Sequence, residues 1–116
     1  MQLKSDFSVG RVIEVYNVTC RDSIISTDDT TALEIGSETV GDIHDIRFFN
    51  ITTHAAGDAG IGIVTMDGSN VYDVLYESIT MNNVTSPFQF YVRALAAQPS
   101  SPPQHASGDV YIMACM

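Results

Sequence analysis

The chain has 116 residues, which is enough for one domain. Its 14 acidic and 5 basic residues give a formal net charge of −9. Because the basic residues are scattered singly, this composition argues against binding to nucleic acid or to an anionic membrane surface. No apolar run is long enough to cross a bilayer, and no basic-then-apolar leader of the signal-peptide kind is present.

Short apolar strands recur along the chain at a nearly constant spacing. The predicted strands lie near residues 11–18, 23–26, 32–35, 43–49, 60–64, 71–76 and 87–92. The spacing is 28 residues from Leu33 to Ile61 and 27 residues from Ile61 to Phe88. No segment has a helical period, so almost no helix is expected. A fixed period in the twenties is typical of a parallel β-helix, an all-β solenoid in which each repeat forms one coil.

This period predicts three to four coils over residues 1–92. Residues 93–107 are rich in Pro, Ser and Ala, so they are expected to form a loop or linker. Residues 108–116 form either a further strand or a tail, and the similarity of Gly108-Asp109-Val110 to Gly41-Asp42-Ile43 favours the strand. Neither end has an amphipathic capping helix, so we expect this chain to be a slice of a longer solenoid.

The strand pattern also predicts which side chains fill the interior. The same pattern of apolar residues followed by Asn or Ser occurs at Ile13–Thr19, Ile46–Thr52 and Val74–Thr80. Alternation directs Ile46 and Phe48 inward and places Asn50 on the same face. Asn17 and Ser78 occupy the equivalent positions, so these three polar residues are expected to form an inward ladder of hydrogen bonds.

Aromatic residues follow the same alternation. Four share the inward parity and are expected to stack in the core: Phe48, Tyr76, Phe88 and Phe90. Three have the opposite parity and are expected at the surface: Phe49, Tyr72 and Tyr91. The sequence therefore predicts a core that contains stacked rings in every coil after the first.

Several blocks of this sequence are similar to a known enzyme family. They are Thr27-Asp28-Asp29, Ala32–Thr39, Val40–Ile46, Gly60–Ile63 and Ser78–Met81. On these residues the chain resembles glycoside hydrolase family 28, the polygalacturonases and their relatives, over about residues 9–92. The resemblance implies a right-handed parallel β-helix, secretion from the cell, and hydrolysis of glycosidic bonds in a plant-type polysaccharide without a cofactor.

The resemblance also implies a pair of catalytic carboxylates. Asp28 and Asp29 match the family's paired-aspartate motif, of which one member would be the general acid. Inverting hydrolysis needs one protonated and one ionised carboxyl group about 6.5–9.5 Å apart. Stacked coils about 4.8 Å apart bring equivalent corners close enough to supply such a pair. The alternative is that Asp28 and Asp29 only form a turn, where Asp is common.

The chain departs from the family's pattern at three places. The Asn-Thr-Asp motif of the preceding coil is absent. Thr30-Thr31-Ala32 stands where the family has Gly-His-Gly, unless Asp28–Leu33 aligns without a gap, in which case the His motif is deleted. Gly62-Ile63-Val64 stands where the family has the Arg-Ile-Lys that holds a uronic carboxylate. A neutral glycan is therefore expected as the substrate rather than polygalacturonate.

Other candidate residues carry weaker signals. Glu38 follows a Gly-Ser turn, so it either binds substrate from the wall of a groove or is a solvated turn residue. His44 and His54 have no second ligand at a suitable spacing, so no metal site is predicted. Cys20 and Cys115 form either one disulfide or two free thiols.

The chain contains three Asn-X-Thr sequons, at Asn17, Asn50 and Asn83. Glycosylation requires an exposed asparagine. Because alternation places Asn17 and Asn50 inward, Asn83 is the predicted glycosylation site.

Two functions of other classes compete with hydrolysis. One is a non-catalytic β-helix that binds carbohydrate or serves as a structural element. The other is self-association through the coil ends, where unpaired backbone N–H and C=O groups invite edge pairing. In the first two of these three functions the expected partner is a polysaccharide.

Overall fold

The computed structural model describes residues 1–93 and 110–112, and every regular element in them is a β-strand. The strands are β1 (Gln2–Ser5), β2 (Val15–Thr27), β3 (Leu33–Thr39), β4 (Ile43–Ala56), β5 (Ala59–Thr65), β6 (Val71–Asn82), β7 (Ser86–Val92) and β8 (Val110–Ile112). The odd-numbered strands form one parallel sheet, sheet A, in the order β1-β3-β5-β7. The even-numbered strands form a second, sheet B, in the order β2-β4-β6-β8. The chain thus winds into a parallel β-solenoid of about 3 turns, which confirms the predicted fold class.

Backbone hydrogen bonds hold adjacent coils in the register that the spacing predicts. Leu33 on β3 lies beside Ile61 on β5, its counterpart one period later. The first coil of sheet B is set differently, because Val18 rather than Ile13 lies beside Ile46. Ile46 follows Val18 by 28 residues and Ile13 by 33. The predicted equivalence of Ile13 and Ile46 is therefore wrong, since backbone pairing follows the period and not the local similarity of the two segments.

Residues with positive φ interrupt the alternation in sheet B at fixed positions of each coil. They form three columns: Asn17, Asp45 and Asp73; Asp22, Asn50 and Ser78; Ala55 and Asn83. Asn and Asp enter this left-handed region more readily than other residues except Gly. In β4, the buried side chain after Phe48 belongs to Ile51, three positions on instead of two. The column residue between them is turned outward.

The predicted inward ladder of polar residues is therefore wrong. Asn17, Asn50 and Ser78 are all exposed, because each has a left-handed backbone conformation that breaks the pleat at that position. Contact between coils at this column occurs outside instead: the Asn50 amide donates a hydrogen bond of 2.8 Å to the Asp22 carboxylate.

The core lies between the inner faces of the two sheets. Its buried side chains are Leu33, Ile35, Ile61 and Ile63 from sheet A and Ile43, Ile46, Phe48, Ile51, Val71 and Val74 from sheet B. The Phe48 ring stacks on the Tyr76 ring of the next coil at a centroid distance of 4.8 Å. Ile46 and Phe48 point inward, as predicted.

The prediction that Phe88 and Phe90 are core residues is wrong. Their side chains are 56% and 52% exposed. Both lie on β7, which within residues 1–93 and 110–112 pairs only with β5. An inward-parity ring is buried by neighbours on both sides in the stack, and here the described part of the chain supplies one.

Three further features of the fold concern the ends of the chain. The sequence pattern missed β1, because Gln2–Ser5 contains a single apolar residue. Apart from Arg93, the predicted linker at 93–107 lies outside the described residues, as does Cys115, while Val110–Ile112 forms a strand beside β6. In the part of the chain that the structure describes, we find no helix long and apolar enough to span a membrane.

Replacing Phe48 by Ala should lower the free energy of unfolding by about 3–5 kcal/mol, because it removes a buried ring and leaves a cavity. The neighbouring Phe49, which is 41% exposed, provides a matched control, and Phe49→Ala should cost less than about 1 kcal/mol. Urea denaturation followed by circular dichroism measures both. Equal losses for the two variants would contradict the assignment of the inner face.

Candidate functional site

The connections from sheet B to sheet A stack into one corner of the solenoid. They are residues 28–32, 57–58 and 83–85, in successive coils. Backbone hydrogen bonds join them, from the Asp58 N–H to the Thr30 carbonyl (3.5 Å) and from the Thr85 N–H to the Ala56 carbonyl (3.0 Å). We call this stack of three connections the acidic corner, because it contains Asp28, Asp29 and Asp58.

Close approach of two coils sets the position of the predicted catalytic pair. A Cβ atom at Gly57 would overlap the carbonyl oxygen of Asp28 and come within 3.0 Å of the Asp29 Cα atom. Only glycine therefore allows the longer first connection to lie directly against the second. Both aspartate side chains are exposed to solvent at the outer surface of this contact.

An open cavity of about 320 Å³ lies at the acidic corner. Its lining residues are Asp28, Ala55, Ala56, Gly57, Asn83, Val84 and Thr85. The structure thus brings together two of the predicted site residues, Asp28 and Asn83. Asp29 is not among the lining residues, and no Lys or Arg side chain lines the cavity.

Sequence reasoning missed Asp58 as a member of this corner. Its carboxylate accepts a hydrogen bond of 3.3 Å from the Thr31 hydroxyl, which lies one coil earlier. Asp58 follows Thr30 by one period of 28 residues, so the register of the coils was the signal that could have found it. Carboxylates from two adjacent coils therefore lie at one corner.

Glu38 lies at the other end of strand β3 from the predicted catalytic pair. The seven residues of this strand span about 20 Å, so Glu38 and Asp28 do not belong to one site. Glu38 is exposed and forms an ion pair of 2.6 Å with Lys4. The hydrogen bond from Lys4 lowers the pKa of the Glu38 carboxyl group.

The outer face of sheet A presents an acid where a uronic substrate would need a cation. Glu34 lies beside Gly62, the position at which the family has Arg. The Glu34 carboxylate accepts a hydrogen bond of 3.0 Å from the Gln2 amide, and partial burial raises the pKa of Glu34. An anionic sugar would be repelled by Glu34 once it is ionised.

The outer face of sheet B carries a ladder of rings that the sequence did not predict. His44 lies between Tyr16 and Tyr72, with centroid distances of 5.4 and 4.8 Å and nearly parallel planes. The His44 Nδ1 atom is 2.7 Å from the Asp45 carboxylate. Within residues 1–93 and 110–112, no group of three or more His, Cys, Asp and Glu side chains is arranged to hold a metal ion.

Comparison with known proteins gives no relative for this chain. No family model, no curated protein and no solved structure matches it. The resemblance to glycoside hydrolase family 28 therefore rests on the sequence blocks alone and stays a prediction.

Replacing Gly57 by Ala should disrupt the acidic corner, because the added Cβ atom overlaps the backbone of Asp28. Overpacking of this kind costs about 1–3 kcal/mol of folding free energy. The control is Asp29→Ala at an exposed site, which should change stability by less than about 0.5 kcal/mol. Thermal and urea denaturation measure both, and an unchanged stability of the Gly57 variant would show that the coils can separate here at no cost.

The titration of Glu38 should report its contact with Lys4. The pKa of Glu38 is lowered in the folded protein, so the pair stabilises the fold above the pKa of the unfolded chain. This contribution is lost as the pH falls through the folded-state pKa. NMR titration should find the midpoint of Glu38 below that of an ordinary Glu. Lys4→Met should raise this midpoint and Lys4→Arg should retain it, whereas an unchanged midpoint in Lys4→Met would rule out the contact in solution.

Proposed function

We propose that the protein is a secreted, glycoside hydrolase-like β-solenoid that acts on a neutral plant-type polysaccharide at the acidic corner. One observation carries this proposal: coil stacking places Asp28 and Asp58, from adjacent coils, at the corner that holds an open cavity. Secretion follows from the same resemblance and from where such polysaccharides are found.

Hydrolysis at this corner would use the two carboxyl groups in different roles. Asp28 lines the cavity, so in its protonated form it donates a proton to the glycosidic oxygen as the bond from that oxygen to C1 breaks. Asp58 is oriented by the Thr31 hydroxyl and, as a carboxylate, accepts a proton from the water that attacks C1. Asp29, the other member of the predicted pair, lies next to Asp28 and adds negative charge that favours a cationic transition state.

The charge of the surroundings supports a neutral substrate. The cavity is lined by no basic side chain, and the formal net charge of the chain is −9. A uronic acid polymer would bring further negative charge to this surface without a guanidinium or ammonium group to bind it. Neutral sugars instead need hydrogen-bonding groups, which Asp28, Asn83 and Thr85 supply.

Binding without hydrolysis is the second candidate function. It is favoured by the exposure of both Asp28 and Asp29. Catalytic acids commonly lie where water is restricted, because a dry environment strengthens the interactions that control proton transfer. An exposed corner with the same polar groups suffices for weak binding of a polysaccharide chain.

The test is an assay of reducing ends released from neutral and acidic plant polysaccharides between about pH 4 and 6. Release from a neutral polysaccharide should fall by at least about 100-fold in Asp28→Asn, which removes the acid. The control is Asp73→Asn, because Asp73 is exposed in sheet B and Asn accepts its positive φ.

Binding of the same polysaccharides, measured by affinity electrophoresis, separates the two candidates. Binding without release would support the non-catalytic function, and release from polygalacturonate alone would contradict the neutral substrate. The absence of both release and binding would overturn both candidates.

A further inference from the structure

The three sequons of the chain differ in their structural settings. Asn17, Asn50 and Asn83 are all exposed, so the inward positions predicted for the first two no longer separate them. Asn17 and Asn50 lie within strands β2 and β4, and the Asn50 amide already donates a hydrogen bond of 2.8 Å to Asp22. Asn83 instead follows β6 in the turn that leads to β7.

The Asn83 sequon has the features of an acceptor. The Asn83 carboxamide makes no hydrogen bond within the described part of the chain, and its backbone φ is +56°. The Thr85 side chain is exposed, and its backbone N–H is fixed by the Ala56 carbonyl at 3.0 Å. The asparagine and the hydroxyl that an oligosaccharyl transferase reads are thus both at the surface.

Asn83 also lines the cavity of the acidic corner, together with Asp28. The first sugar of a glycan on Asn83 therefore begins inside this cavity. Its volume of about 320 Å³ is near the lower limit of small-molecule pockets, which is about 300 Å³. A sugar ring held there can donate a hydroxyl hydrogen bond to the Asp28 carboxylate.

We propose that Asn83 carries an N-linked glycan whose first sugar occupies the cavity beside Asp28 and closes the acidic corner to external polysaccharide. The inference rests on the secretion included in the proposed function. In the modification, the Asn83 Nδ2 atom bonds to C1 of a lipid-linked oligosaccharide. The bond from C1 to the diphosphate oxygen breaks, the lipid diphosphate leaves, and Nδ2 gives up one proton. Only molecules without this glycan then present Asp28 to a substrate.

The first experiment measures glycan occupancy by peptide mass spectrometry after secretion of the full chain from a eukaryotic host. We expect a glycan on the peptide that contains Asn83 and its loss in Asn83→Asp and Thr85→Ala. Asp occurs in the other positive-φ columns, so Asn83→Asp preserves the turn. Asn17→Asp is the matched control, and it should leave the occupancy of Asn83 unchanged.

The second experiment measures how fast a peptide N-glycosidase releases the glycan from the folded protein. Release should be about tenfold slower than from the urea-unfolded protein, the factor that one charge-assisted hydrogen bond provides. Asp28→Ala should remove most of this difference. Asp29→Ala should not, because Asp29 carries the same charge next to Asp28 but does not line the cavity.

Each outcome decides the proposal without any measurement of enzymatic activity. An unmodified Asn83, with or without glycans at Asn17 and Asn50, would overturn it. A modified Asn83 whose release rate does not respond to Asp28→Ala would overturn the placement of the sugar. Because occupancy and release are independent of hydrolysis, these results stand apart from success or failure of the polysaccharide assays.

Discussion

Parallel pairing at a fixed register is the constraint on which the whole structure depends. Each residue of a coil lies about 4.8 Å from its counterpart 28 residues later, because the backbone hydrogen bonds of both sheets allow no other arrangement. A side chain therefore packs mainly against the residue one period away. Columns of like character follow from this, such as the apolar column of Leu33 and Ile61 and the positive-φ column of Asp45 and Asp73.

The same constraint confines variation to the connections. Strand register must be kept from coil to coil, so a difference in length can only be absorbed where the chain turns. At the acidic corner the first connection has five residues, 28–32, and the second has two, 57–58. The longer one folds over the shorter one, and Gly57 provides the space for this. Polar groups that the strands cannot accommodate thus collect at this corner, which is why the cavity occurs there.

The sequence was sufficient to predict the architecture because the period is visible in the apolar residues. It was less informative about orientation. Alternation alone could not show that Asn50 is exposed, since one residue with positive φ reverses the faces of the strand and no composition rule fixes where this occurs. The exposure of Phe88 depends on how many coils cover it, which local pattern does not contain. Asp58 was within reach of the period, whereas the shared cavity of Asp28 and Asn83 required the path of the turns.

The stacked rings have a spectroscopic consequence. The chain has no tryptophan, so its absorption near 280 nm comes chiefly from five tyrosines. Three of these have partners one coil away: Tyr16 and Tyr72 both stack on His44, and Tyr76 stacks on Phe48. Near-ultraviolet dichroism of this protein is therefore dominated by contacts between coils, whereas the far-ultraviolet signal reports the strands themselves. The two signals together distinguish a loosening of the stack from a loss of β-structure.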